Sequence, residues 1–185
     1  MPTLYQNWCI KKAKIKLQRL AKFYPTPTTI LEVGGGNGAL TLLQREAGHQ
    51  VTALDIANKS AFEEVLPIVY DGGKFPFEDH SFETVQLITM LHHTPDPAHL
   101  VKEAKRVGKR VIIMEDIYSN LIQKYLTFAA DSVNNWEFIG HPHTNKTDKA
   151  WQALFQDLGF ELKSVEYYQF LLFFRQVTYE LTSNV

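Results

Sequence analysis

Apolar positions recur along this chain at two different periods, and the period changes from segment to segment. Ile10, Ala13, Leu17, Leu20 and Tyr24 follow one another at steps of three and four, the spacing that puts side chains on one helix face. A helix is therefore predicted over Leu4 to Phe23, stopped by Pro25 and Pro27. Thr28 to Val33 is β-branched and apolar and reads as a first strand. A helix over Asn37 to Ala47, closed by Gly48, leads to strands at Gln50 to Leu54, Leu66 to Tyr70 and Phe82 to Leu91. Ala98 to Val107 reads as a helix closed by Gly108, Lys109 to Met114 as a strand, and Tyr118 to Ala130 as a further helix. Asp131 to Lys146 is polar and irregular, with aromatics at Trp136 and Phe138. Thr147 or Asp148 caps a helix that ends before Gly159. Phe160 to Tyr168 and Phe170 to Tyr179 are long strand patterns so closely joined that they should pair antiparallel.

Strand–helix alternation implies an α/β fold: a mostly parallel sheet with helices on both faces. Such sheets bind ligands beyond the carboxyl ends of their strands, where strand order reverses. The 185 residues suit one domain. Within it, 1–27 are a helix and linker, 28–117 a ligand-binding half, and 118–185 an acceptor-side segment with the closing hairpin. One cysteine, Cys9, excludes an internal disulfide framework. No apolar run reaches the roughly 20 residues that span a bilayer, and Met1 to Ile10 lacks a secretory apolar stretch. A cytoplasmic location is the expectation.

The formal net charge of −1 leaves no footprint for nucleic acid. Lys11, Lys12, Lys14, Lys16, Arg19 and Lys22 crowd one segment. That cluster fits an anionic partner or membrane surface, or simply the solvated face of an amphipathic helix. The solvated face is the preferred reading, so neither a nucleic-acid nor a membrane partner is expected.

The chemistry begins at Ile30-Leu-Glu-Val-Gly-Gly-Gly-Asn-Gly38, where Gly34, Gly35, Gly36, Asn37 and Gly38 follow a strand and open a helix. Glycine permits positive φ and close approach of a ligand, and the helix start offers unpaired N–H groups. The loop alone is ambiguous, because Gly34, Gly36 and Ala39 also satisfy a dinucleotide fingerprint. Glu32, two residues before Gly34, can hold the loop or meet a cationic cofactor, and is less suited to a pyrophosphate. Asp55 ends the second strand 17 residues after Gly38 and can accept both hydroxyls of a ribose.

The stretch from Asp71 to Pro97, Asp-Gly-Gly-Lys-Phe-Pro-Phe-Glu-Asp-His-Ser-Phe-Glu and onward through Leu91-His-His93 and Asp96-Pro97, resembles class I S-adenosylmethionine-dependent methyltransferases. More narrowly it resembles their small-molecule-type, type 11, family, with Phe75 for the usual Leu and Glu83 for the usual Asp. The resemblance covers Thr28 to Ile117, and Trp151 to Phe160 is similar to the family's last helix and turn. It implies a Rossmann-like seven-stranded sheet of order 3-2-1-4-5-7-6 with strand seven antiparallel, S-adenosylmethionine as cofactor, and a small-molecule acceptor. It also implies that Gly34 to Gly38 wrap the methionine part of the cofactor, Asp55 holds the ribose, and Ile56 lies on the adenine. Asp71 and Gly72 would meet the adenine edge, and Ile88 and Thr89 would line the methyl end.

His92 and His93, after the fourth strand, are the candidate bases, since histidine titrates near neutral pH; a packing role is the alternative for both. Glu115, Asp116 and Tyr118, with Trp136, His141 and His143 in the irregular segment, are candidates for binding the acceptor. His141-Pro-His143 matches no zinc spacing, so no metal is expected. The acceptor site must come from the N-terminal helix and residues 118–146, or from a second subunit in a homodimer. A non-catalytic cofactor-binding module and a nicotinamide-dependent oxidoreductase are the competing readings, and the second leaves Asp71 to Asp96 unexplained.

Overall fold

The computed structural model describes residues 2–24, 26–118, 145–170 and 174–183. Its strands are β1 (Thr29–Val33), β2 (Gln50–Asp55), β3 (Ile68–Val69), β4 (Phe82–Ile88), β5 (Gly108–Ile117), β6 (Phe160–Phe170) and β7 (Phe174–Ser183). Its helices are α1 (Leu4–Leu20), α2 (Ala39–Glu46), α3 (Pro97–Val107) and α4 (Asp148–Asp157). The strands form a seven-stranded sheet in the order β3-β2-β1-β4-β5-β7-β6. Strand β2 runs parallel to β1 and β3, while β7 is antiparallel to both β5 and β6. This is the order and the strand sense that the family resemblance implied, including the closing hairpin.

The chain forms two compact units, residues 1–86 with 106–109, and residues 87–105 with 110–185. In the first, α1 starts at a reciprocal capping box in which Thr3 accepts from the Gln6 amide and Gln6 accepts from the Thr3 amide. Cys9, Ala13 and Leu20 make its buried face, which packs on α2. The helix then tightens into a 3-10 turn at Ala21–Phe23. Ile30, Leu31, Val33, Val51, Ala53 and Leu54 fill the sheet. A polar network lies among them. Gln44 and Gln86 exchange amide hydrogen bonds of 2.8 and 2.9 Å, and the Tyr24 hydroxyl donates to Gln86 at 2.6 Å. Each buried polar atom named there has a partner, as burial demands.

The segment after β3 is pinned from a distance. Arg106 donates to the carbonyls of Phe75 and Phe77 at 2.9 and 2.8 Å and to the Asp79 carboxylate at 2.8 Å. That guanidinium contact holds the Asp79 carboxyl below its usual range. Phe75 is buried edge-on to Tyr70, and Phe77 is edge-on to Phe82. Much of the family-like motif is thus a packed and clamped turn.

In the second unit, Val111 to Met114 are buried in β5, and Trp151 and Phe155 of α4 pack with Tyr179 of β7. Thr147 caps α4 by accepting from the Ala150 amide. The Lys105 ammonium sits at its other end, donating to the carbonyls of Leu158 and Gly159 at 2.8 and 2.7 Å, where the helix dipole favours a cation. Asp148 accepts from Gln152, Tyr167 and Tyr179, each at 2.7 Å. Burial pushes its carboxyl up, but these three bonds outweigh it and the group lies below its usual range.

Several boundaries differ from the sequence expectation. Gly108 opens β5 instead of capping α3, and β5 continues through Glu115 and Asp116 to Ile117. Strand β4 stops at Ile88, because Thr89 takes φ 53° and Leu91–His93 form a 3-10 turn. Strand β3 is cut to Ile68–Val69. The helix expected over Tyr118 to Ala130 lies outside the described residues beyond Tyr118. Among the described residues no helix is long and apolar enough to cross a membrane.

Candidate functional site

In the first unit the glycine loop leaves the sheet at the carboxyl end of β1, where the Gly34 amide still donates to Leu54 of β2 at 2.8 Å. Gly36 and Gly38 have φ of 55° and 75°, values that side-chain-bearing residues adopt at a cost. They need glycine for different reasons. A Cβ on Gly38, which starts α2, would lie 2.7 Å from the Ser60 hydroxyl and 3.0 Å from a Val65 methyl. A Cβ on Gly36 would have nothing within 4 Å. Packing therefore dictates Gly38, whereas Gly36 faces open space. Asn37 closes the turn into α2 by accepting from the Ala39 amide at 3.0 Å.

Glu32 lies buried beneath the loop, with its Cδ 3.2 Å from the Cβ position of Gly35. Burial raises its pKa, while hydrogen bonds from Thr41 and Gln86 pull it back down. Asp55 bridges β2 to the loop: one oxygen accepts from the Gly36 amide at 3.1 Å, the other from the Ile56 amide at 2.8 Å. Ile56 is 65% exposed. Gly72, at φ 86°, comes so near it that an added Cβ would sit 3.7 Å from an Ile56 methyl. Asp71 accepts from the Gly73 amide at 2.9 Å. The unit thus joins an open glycine surface, a carboxylate beside it, and an exposed apolar side chain next to a second carboxylate-bearing turn. Those features fit a nucleoside carrying an amino-acid tail: donors for a carboxylate, acceptors for ribose hydroxyls, and an apolar face for the base.

In the second unit, Thr89 donates its amide to the Met114 carbonyl at 2.6 Å. A β-branched residue with positive φ is uncommon and strained. Glu115, fully buried, accounts for the turn that follows. Its Oε1 accepts from the amides of Met90 and Leu91 at 3.0 and 2.8 Å, and its Oε2 lies 2.5 Å from His92 Nδ1. His92 is itself buried, and its ring centroid is 4.0 Å from that of His93, which is half-buried. Ile88 is buried at the end of β4. Asp116 accepts from Gln176 of β7 at 2.9 Å, and Tyr118 is half-buried. Trp136, His141 and His143 lie outside the described residues.

The structure therefore brings Glu32, the glycine loop, Asp55 and Ile56 together, and separately groups Thr89, His92, His93 and Glu115. The sequence reading did not foresee that Glu115 holds the Met90 and Leu91 amides, or that Thr41, Ser60 and Val65 pack around the loop. A single carboxylate inside the apolar run Val111 to Ile117 is the one signal that could have marked Glu115. Among the described residues no group of three or more His, Cys, Asp or Glu side chains could hold a metal ion.

A sheet of this order, with a glycine turn after β1 and a carboxylate at the end of β2, defines the class I methyltransferase fold. Comparison with known proteins agrees. A family model described as a methyltransferase domain, type 11, matches residues 31–111. The ubiquinone biosynthesis O-methyltransferase of Nitrosospira multiformis is 29% identical over 91 residues, covering 43% of this chain and 38% of that protein. The chain thus matches well under half the length of that relative. A solved methyltransferase-like structure from Bacillus halodurans superposes with a TM-score of 0.71 at 15% identity, over 91% of this chain and 99% of its own. Magnesium protoporphyrin IX methyltransferase from Synechocystis, solved with bound S-adenosylhomocysteine, gives a TM-score of 0.63 at 15% identity, over 95% of this chain and 83% of its own. Residues 31–111 are thus similar to the S-adenosylmethionine-dependent methyltransferases of the type 11 family, whose cofactor is S-adenosylmethionine, and the sheet has the methyltransferase fold.

Proposed function

We propose that this chain transfers the methyl group of S-adenosylmethionine to a hydroxyl-bearing small molecule. The observation that carries the reading is the open, left-handed Gly36 beside the Asp55 carboxylate and the exposed Ile56. Gly34 to Gly38 would hold the amino-acid tail, Asp55 the ribose, Ile56 the face of the adenine, and Asp71 with Gly72 its edge. Glu32 would hold the loop from below. In the family resemblance the end of β4 meets the methyl-bearing end, the role proposed for Ile88 and Thr89.

When bound, the cofactor supplies a methyl group already activated by its positively charged sulfur. The chain's contribution is alignment of acceptor, methyl and sulfur for an in-line displacement. A hydroxyl acceptor must also lose its proton as its oxygen takes the methyl. His93 is the residue proposed to receive it. His92, tied to Glu115 and buried, is proposed to set the position of its neighbour. Asp116 and Tyr118, with Trp136, His141 and His143, remain the proposed acceptor contacts. The name of the matched relatives, O-methyltransferases of ubiquinone biosynthesis, supports trying hydroxyl acceptors first.

The test is incubation of the pure protein with methyl-labelled cofactor and a panel of phenols, amines and thiols, read by mass spectrometry. A labelled ether from a phenol is the expected product. Label on amines or thiols alone would overturn the oxygen assignment, and cofactor binding with no transfer to any member of the panel would favour the non-catalytic module.

A further inference from the structure

Helix α1 has a second face whose large apolar side chains are exposed. Cys9, Ala13 and Leu20 point inward. Tyr5, Trp8, Lys12, Ile15 and Arg19 follow at steps of three and four about a third of a turn away, so they form their own stripe. Leu4, Tyr5, Trp8 and Ile15 are 90, 57, 42 and 47% exposed. Scattered exposed apolar residues are ordinary, but several on one short helix face mark an interaction surface. The charge is as one-sided as the apolar content. The first 31 residues hold Lys11, Lys12, Lys14, Lys16, Arg19 and Lys22 and no Asp or Glu, in a chain whose formal net charge is −1.

The face is also held firmly. Tyr5 and Trp8 stack at 6.1 Å, the Lys12 ammonium lies 4.0 Å from the centroid of the Trp8 ring, and Gln6 ties the first turn to the Ala61 carbonyl at 2.6 Å.

We propose that α1 lies flat on an anionic lipid surface, with Leu4, Tyr5, Trp8 and Ile15 entering the boundary between headgroups and acyl chains. The exposed Lys11, Lys12 and Lys14 would meet the lipid phosphates. Aromatic rings and aliphatic side chains flanked by cations, with no acidic residue among them, are the composition that such a surface selects. Lysine stems can lie along the apolar boundary while their ammonium groups reach the phosphates. The most exposed of the four, Leu4, and Ile15 are aliphatic and offer a nucleic-acid base no stacking face, so charge and apolar content together favour lipid. This assignment revises the sequence expectation of a merely solvated face, and it does not rest on the identity of the methyl acceptor.

The test sediments the full chain with vesicles of phosphatidylcholine alone and of equal parts phosphatidylcholine and phosphatidylglycerol. Binding is expected only to the anionic vesicles and should weaken with added salt. Lys11→Ala with Lys12→Ala should lower partitioning by about fivefold per lysine removed. Trp8→Ser, which leaves the charge unchanged, should also lower it severalfold. Circular dichroism confirms that each variant is folded, and Ile15→Ser serves as a second apolar variant if Trp8→Ser is not. Equal binding to both vesicle types, no binding to either, or binding indifferent to the lysine and apolar changes would each overturn the proposal. So would tighter binding to a single-stranded polynucleotide than to anionic vesicles, or a lipid-free dimer that Trp8→Ser dissociates.

Discussion

Glu115 offers the sharpest test of how the turn after β4 is held. Its buried carboxylate accepts from the amides of Met90 and Leu91 at 3.0 and 2.8 Å and contacts His92 Nδ1 at 2.5 Å. Glu115→Ala leaves two buried amides and one buried ring nitrogen without that acceptor. A buried donor stripped of its partner costs about 1–3 kcal/mol, and here three donors lose it at once. These effects overlap, so the expected loss is about 3–5 kcal/mol. In a chain of this length that lowers Tm by about 6–20 °C. Glu115→Gln is the informative companion. Its carbonyl can still accept from both amides, but its amino group faces His92 Nδ1 as a donor. The ring must then carry its proton on Nε2, at a cost of about 1–2 kcal/mol for the weaker contact. Urea unfolding measures the stability of both variants, and nitrogen NMR of the histidines reads the tautomer. An alanine variant that loses less than about 1 kcal/mol, or a glutamine variant whose His92 keeps its proton on Nδ1, would refute this account of the turn.

Three further outcomes are expected. Gly38→Ala should destabilise the fold by about 1–3 kcal/mol through backbone strain and contact with Ser60 and Val65, whereas Gly36→Ala should cost about 1 kcal/mol in stability but weaken cofactor binding more; urea unfolding and calorimetry separate the two. Burial raises the Glu32 pKa above its ordinary 4.5, so the folded state binds the extra proton and stability should fall as pH rises from 4.5 through the folded-state value. Glu32→Gln should lack that slope, and unfolding midpoints that fall equally in both proteins would contradict the assignment. His93→Ala should slow methyl transfer to a hydroxyl acceptor with cofactor affinity nearly intact, and unchanged turnover in the labelled-cofactor assay would remove His93 from the proton transfer.

The alternation of strand and helix, and the hairpin at the end of the chain, were legible because each rests on local periodicity. The full strand order was not; it came with the resemblance carried by Asp71 to Asp96. What stayed hidden depends on contacts between distant positions. Asp79 looks like a motif carboxylate, and only the fold shows that Arg106 clamps it. Glu115 and Asp116 read as strand-end acids, yet both lie within β5, and Glu115 is spent on amides 25 and 24 positions back. The helical period of Ile10, Ala13, Leu17, Leu20 and Tyr24 picked out the inward side of α1 and passed over the stripe of Tyr5, Trp8 and Ile15. At the loop, sequence could place four glycines but not rank them; the space around each Cβ position distinguishes Gly36 from Gly38.

The central claim is that the glycine loop and Asp55 form a site for S-adenosylmethionine. Isothermal titration of the wild-type chain and of Asp55→Ala with S-adenosylmethionine, S-adenosylhomocysteine and NAD tests it most directly. The account predicts that the first two bind the wild type, that NAD does not, and that Asp55→Ala weakens binding by about 1.5–3 kcal/mol through lost charge-assisted hydrogen bonds. Binding of NAD in preference to S-adenosylmethionine, or an affinity unmoved by Asp55→Ala, would contradict it.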